Sequence, residues 1–205
     1  MTGEAAVLLI LYIDKTTQEL NVVLTQRSSK LKSHGGEVCL PGGKRDETDT
    51  DITMTALREA NEEIGLDRDT VKVIGMLPAN VAKNQLLVTP VAAVALPSFD
   101  VDSLKANEDE VALIFSVELA KFLSGEHHMS QEWTPERGMP MLFHSWEFEG
   151  TPRVWGLTAF FLIDLASVVY GRKPDYEMEP NVRDFVYQNR KMLRRETCQP
   201  GCLKC

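Results

Sequence analysis

The charge of this chain inverts at one point, and that inversion limits what the neighbouring segments can build. From Arg27 to Arg45 five basic residues (Arg27, Lys30, Lys32, Lys44, Arg45) stand against one acid, Glu37, and Gly35, Gly36, Gly42 and Gly43 mark turns. From Asp46 to Glu63 the balance is seven acids (Asp46, Glu47, Asp49, Asp51, Glu59, Glu62, Glu63) against one base, Arg58. The acidic segment carries its own helix signals. Asp49 or Asp51 can cap the start, and Gly65 stands where a left-handed C-terminal residue is wanted. At ~100° per residue Met54, Leu57, Ala60 and Ile64 fall on one face, with Glu59, Glu62 and Glu63 on the opposite one. The spacing therefore predicts an amphipathic helix with its carboxylates outward.

Three carboxylates within a turn repel one another. A solvated surface eased by an Arg58–Glu62 pair at i, i+4 is one reading. The other is a cation among them, and hard oxygen donors suit Mg2+ or Mn2+. The Gly42-Gly43 turn would let backbone carbonyls, Gly43 in particular, approach the same ion.

Composition sets the outer bounds. A length of 205 residues suits one domain, expected over residues 1–175, with 176–205 a polar C-terminal extension. The net charge of -8 repels duplex nucleic acid and anionic membranes, so a phosphate-bearing ligand needs a local basic patch or a metal ion. Ala5–Ile13 is apolar but far shorter than the ~20 residues of a membrane span, and no basic residues precede it as in a secretory signal. Neither a membrane nor a nucleic-acid partner is expected, a homodimer is an open assembly, and the cytoplasm is the expected compartment. Of four cysteines, Cys198, Cys202 and Cys205 crowd the C-terminus without a partner pair, so they read as an oxidisable tail and not as a zinc site.

Strands are expected at Ala5–Ile13, Leu20–Thr25, Val71–Leu77, Leu86–Leu96 and Val111–Val117, with short ones at Phe143–Phe148 and Arg153–Trp155. Helices are expected at Val117–Leu123 and Gly156–Tyr170, the second ended near Gly171 and Pro174.

The run Arg58-Glu59-Ala60-Asn61-Glu62-Glu63-Ile64-Gly65-Leu66 resembles the second half of the Nudix hydrolase box. The first half departs, with one residue too many between Gly43 and Arg58 and Thr50, flanked by Asp49 and Asp51, in the place of the box's first glutamate. Upstream, Val23-Leu24-Thr25-Gln26-Arg27-Ser28, Lys32, Gly36 and Leu40-Pro41-Gly42-Gly43 resemble the narrower signature of the coenzyme A pyrophosphatase branch, departing at Val23 and Lys32. Asn107–Val111 and Trp155–Ala159 are similar to that branch as well.

The resemblance implies an α+β Nudix fold, a three-layer α/β/α sandwich with a mixed central sheet. It implies a small-molecule substrate, coenzyme A or acyl-coenzyme A, cut at its diphosphate to 3′,5′-ADP and 4′-phosphopantetheine or its acyl derivative. Glu59, Glu62 and Glu63, with the Gly43 carbonyl, would hold Mg2+ or Mn2+; Glu59 or Glu62 would also act in catalysis. Glu110 would complete the metal site or take the water's proton. Arg58 would orient glutamates, and Arg27, Lys32 and Lys44 would meet the substrate's anions. The alternatives are hydrolysis of ADP-ribose, an oxidised nucleotide or a dinucleoside polyphosphate, or a non-enzymatic ligand-binding role, against which the intact carboxylates speak.

Overall fold

A computed structural model describes residues 3–82, 85–133 and 141–178. The first strand, β1 (Glu4–Ile13), is apolar at almost every position, which suits a strand covered on both faces. Its side chains alternate as strand geometry requires. Ala5, Leu9 and Leu11 enter one core, and Ala6, Leu8, Ile10 and Tyr12 enter another.

Around β1 the chain lays down β2 (Leu20–Arg27), β3 (Val38–Cys39), β4 (Gly42–Lys44), α1 (Ile52–Ile64), β5 (Val71–Met76), β6 (Asn80–Val81), β7 (Leu87–Ala95) and β8 (Val111–Glu118). β7 runs parallel to β1, whereas β2 and β4 pair antiparallel with it, so the sheet is mixed. Its central order is β3-β2-β1-β7-β5, with β8 against β2 and β6 against β7. A second, antiparallel sheet of β9 (His128–Trp133), β10 (Met141–Trp146) and β11 (Val154–Trp155) leads into α2 (Gly156–Tyr170). Ala56, Ala60 and Ile64 of α1 close one core and Ala159, Phe161, Leu162 and Leu165 of α2 the other. The result is the expected α/β/α sandwich.

Several local expectations change. Glycines 42 and 43 form a strand and not a turn, because a residue without a side chain can press against β1: a Cβ on Gly42 would collide with the Ala6 carbonyl and the Val7 backbone. Val117 and Glu118 remain in β8, and only a short 3-10 helix, Leu119–Leu123, follows. The stretch with His127 and His128 begins β9, which its polar composition hid. Tyr176, counted with the C-terminal extension, donates its hydroxyl to the Phe122 carbonyl at 2.7 Å and stacks on His128. The tail cysteines lie outside the described residues.

Leu9 and Ile10 are adjacent, point to opposite faces and are both fully buried. Leu9→Ala and Ile10→Ala should therefore each lower unfolding free energy by about 2–5 kcal/mol in chemical denaturation. A neutral effect of either would contradict burial on both faces.

Candidate active site

The acidic helix is placed by its ends. Asp51 is the cap, accepting from the Met54 N–H at 2.9 Å, and Gly65 closes the other end at φ 64°. Asp49 has a different task. Its two carboxylate oxygens accept from Nε and Nη2 of Arg58 at 2.9 and 3.0 Å, and Oδ2 also takes the Thr55 hydroxyl and the Asp46 N–H. Hydrogen bonding to Arg58 holds the Asp49 carboxyl far below the ordinary carboxylate range. Asp49 is the sixth residue after Gly43, where the Nudix box has its first glutamate, so the extra residue falls between Asp49 and Arg58. The exposed Thr50 does not fill that place.

Arg58 is the hub of the cluster. Besides Asp49 it meets Glu62 Oε2 at 2.9 Å, Glu59 Oε1 at 3.0 Å and the Lys44 carbonyl at 3.0 Å. One guanidinium thus ties α1, β4 and the loop between them, its planar fork allowing several bonds at once.

The three glutamates do not share an outward face. At ~100° per residue Glu63, Glu59 and Glu62 form a ramp away from the buried side of α1, and their side chains are 3%, 16% and 52% exposed. Glu63 lies beneath β4, accepting from the Gly42 N–H at 3.0 Å, with Arg27 Nη1 3.7 Å from its other oxygen. Burial pushes the Glu63 carboxyl up to about 7, against the pull of Gly42 and Arg27. Burial raises Glu59 too, more than Arg58 lowers it. Glu59 rests against Gly43, where an added Cβ would lie 2.5 Å from its carboxyl carbon.

Glu110 is near enough for its charge to raise both Glu59 and Glu63. Its carbonyl accepts the Ser28 N–H at 2.8 Å, and the Asn107 N–H bonds the Glu63 carbonyl at 2.9 Å, so backbone bonds tie its turn to β2 and α1. Arg27 ends β2 beside Glu63, and among the described residues its buried Nε has no hydrogen-bond partner. Lys32, on the loop after β2, and Lys44, at the end of β4, are exposed. Arg27, Gly43, Glu59, Glu62, Glu63 and Glu110 are therefore brought to one locality, and the two lysines stand on the segments that rim it. Missed in the sequence were Asp49, whose signal was its distance from Gly43, and Cys39, whose thiol burial pushes up and which sits within the fields of Glu63 and Arg27.

Among the described residues no three Asp, Glu, His or Cys side chains already converge as a ligand set, because Arg58 claims Glu59 and Glu62 while Gly42 and Arg27 claim Glu63. The chemistry of the donors nonetheless fits a hard divalent cation. They are all oxygens, two are desolvated enough to resist ionisation alone, and Gly43, lacking a Cβ, lets the Glu59 carboxylate lie against the β4 backbone.

Residues 3–135 match the NUDIX domain, and the chain belongs to the Nudix family. It is 41% identical over 84% of its length to "Nudix hydrolase 15, mitochondrial" of Arabidopsis thaliana. It is 35% identical to a peroxisomal coenzyme A diphosphatase of Mus musculus, over 82% of this chain and 72% of that one. Similarity at 35% identity extends to a second peroxisomal coenzyme A diphosphatase, from Caenorhabditis elegans, over 87% of this chain and 74% of that one. The chain spans 60% of the length of the two Arabidopsis relatives. Among solved structures, a MutT/nudix family protein from Enterococcus faecalis superposes with TM-score 0.55 at 16% identity, over 85% of this chain and 65% of that one, and shares the fold. No helix among the described residues is long and apolar enough to cross a membrane.

The raised Glu63 carboxyl gives a test without substrate. The folded state holds a proton that the unfolded state has lost, so between its ordinary 4.5 and about 7 stability falls as pH rises. The full loss is on the order of 3 kcal/mol in metal-free protein. Denaturation midpoints should show this slope between pH 4.5 and 7, Glu63→Gln should flatten it, and Mg2+ should restore stability at pH 8. Superimposable pH profiles for parent and variant would refute it.

Proposed function

We propose that this protein is a metal-dependent hydrolase of the diphosphate in coenzyme A or its acyl derivatives, releasing 3′,5′-ADP and (acyl-)4′-phosphopantetheine. The observation that carries the reading is the buried Glu63, beside the half-buried Glu59, with Arg27 3.7 Å away at the start of a basic loop. Carboxylates and a polyanionic substrate repel each other unless a divalent cation stands between them. Glu59, Glu62, Glu63 and the Gly43 carbonyl would hold Mg2+ or Mn2+, which when bound neutralises the diphosphate and lowers the pKa of water. Glu110 accepts a proton from the attacking water, which adds across the P–O–P link. Arg58 orients Glu59 and Glu62 through its ion pairs with them, while Arg27, Lys32 and Lys44 bind phosphate oxygens.

The coenzyme A claim rests on the signature around Leu24, Thr25, Arg27, Ser28, Gly36 and Leu40 and on the names of the mouse and nematode relatives. The cytoplasm is the reading for the compartment, with relatives bearing mitochondrial, chloroplastic and peroxisomal names.

Turnover should vanish in EDTA, return with Mg2+ or Mn2+, and fall at least about a hundredfold in Glu62→Gln or Glu63→Gln, roughly 3 kcal/mol of transition-state stabilisation, with circular dichroism unchanged. Full activity in both variants would remove the metal-site assignment.

In a substrate panel read by product mass, coenzyme A should exceed dephospho-coenzyme A about ten- to a hundredfold in kcat/KM, through a charge-assisted contact to the 3′-phosphate. Lys32→Ala should narrow that gap, and it is a cleaner variant than Arg27→Ala because Arg27 also faces Glu63. Equal rates on both forms, or a preference for ADP-ribose, would leave a Nudix hydrolase of another nucleoside diphosphate derivative.

A further inference from the structure

One face of the second sheet is covered along β10 and β11, while β9 is exposed on both faces beyond His128. On β10 and β11 the side chains of His144, Trp146 and Val154 are buried. The alternate positions carry Met129, Trp133, Met141, Phe143 and Trp155, each 40–49% exposed. The register puts these five on the same face: Met141 lies opposite Trp133, Phe143 opposite Gln131, and Ser145 opposite both Met129 and Trp155. Trp133 and Phe143 meet edge to face at 5.8 Å. None of these five positions carries a charge, on a chain whose net charge is -8, although Ser145 between Met129 and Trp155 is buried and accepts from Arg153 Nη2 at 2.9 Å, Arg153 Nε lying 3.8 Å from Glu147.

The open face lies on the catalytic side of the molecule. β11 packs beside β3, and the Thr158 hydroxyl, at the start of α2, bonds the Val38 carbonyl at 3.1 Å. Val38 and Val154 enter the same core, beneath α2. Alternation then turns their neighbours Cys39 and Trp155 the other way, and on that side Cys39 contacts Thr25 and feels the charges of Glu63 and Arg27.

We propose that this apolar face binds the aliphatic acyl chain of the substrate, carried away from the diphosphate by the pantetheine arm, with Trp155 nearest the reacting end. The proposal rests on the coenzyme A reading. Size favours this occupant over a second copy of the chain. Five side chains of ~150–250 Å² each, about half exposed, leave roughly 400 Å² open, well short of the ~800 Å² per partner of a stable protein interface. A flexible alkyl chain, by contrast, needs no more than such a strip, and aromatic and methionine side chains adapt to its shape.

The test uses the full chain with acetyl-, butanoyl-, hexanoyl- and octanoyl-coenzyme A. KM should fall roughly twofold per methylene added, less than full burial would give because one side of the chain stays wet, while kcat stays level. Phe143→Ser and Trp155→Ser should flatten that series and leave kcat/KM for the acetyl derivative unchanged. Binding without turnover is read in EDTA, where octanoyl-coenzyme A should change the tryptophan fluorescence of the parent saturably and that of the double variant much less. A KM independent of chain length overturns the proposal. So does a parent dimer in sedimentation that Phe143→Ser dissociates, or a chain-length series that emerges only after residues 179–205 are removed, since a second copy or the chain's own C-terminus would then be the occupant. Fluorescence binding with no hydrolysis of any diphosphate would support the face and defeat the coenzyme A hydrolase reading; hydrolysis with a flat series would do the reverse.

Discussion

The bond on which the site depends is the two-pronged contact between Arg58 and Asp49. It joins the middle of α1 to the loop before it, and through the same guanidinium to the Lys44 carbonyl of β4. Both partners are largely withdrawn from water, and Arg58 lies more firmly protonated and Asp49 more firmly ionised than either would be alone. Removing one would strand the other in a poorly solvated place, which costs more than the pair contributes. Because β4 also covers Glu63 and abuts Glu59, one ion pair sets the position of the carboxylates relative to the sheet.

Electrostatics make the rest of the arrangement intelligible. An acidic molecule does not attract a polyphosphate, and the charge of Glu110 opposes the ionisation of Glu59 and Glu63, as the charge of Glu59 opposes that of Glu63. That is an unfavourable set of groups for stability alone. The proposed divalent cation among the carboxylates, with an anionic ligand across to Arg27, would offset that opposition. Among the described residues the buried Arg27 Nε has no hydrogen-bond partner of its own.

Much of this was legible in the sequence because its signals are local. Asp51 and Gly65 wrote the ends of α1, and the apolar run of β1 marked the central strand. The signals failed where tertiary packing decides. Glu63 reads as an outward carboxylate until β4 is laid over it, since helix periodicity reports direction and says nothing of what covers each side. Gly42 and Gly43 read as a turn because glycine is a turn residue, yet their use is close approach to β1 and to Glu59. β9 escaped notice because its apolar positions alternate with polar ones and it is mostly exposed; only His128 is half-buried, stacked on Tyr176, more than forty residues away in the chain.

The central claim, that the carboxylates of α1 form a divalent cation site, is tested most directly by calorimetric titration of Mn2+ into the metal-free chain at pH 6.5 in buffers of different ionisation enthalpy. With Glu63 pushed up to about 7, a cation bound there must displace its proton. The account predicts saturable binding with release of a substantial fraction of a proton, a release lost in Glu63→Gln. Binding without proton release, or no binding while the chain stays folded, would contradict it.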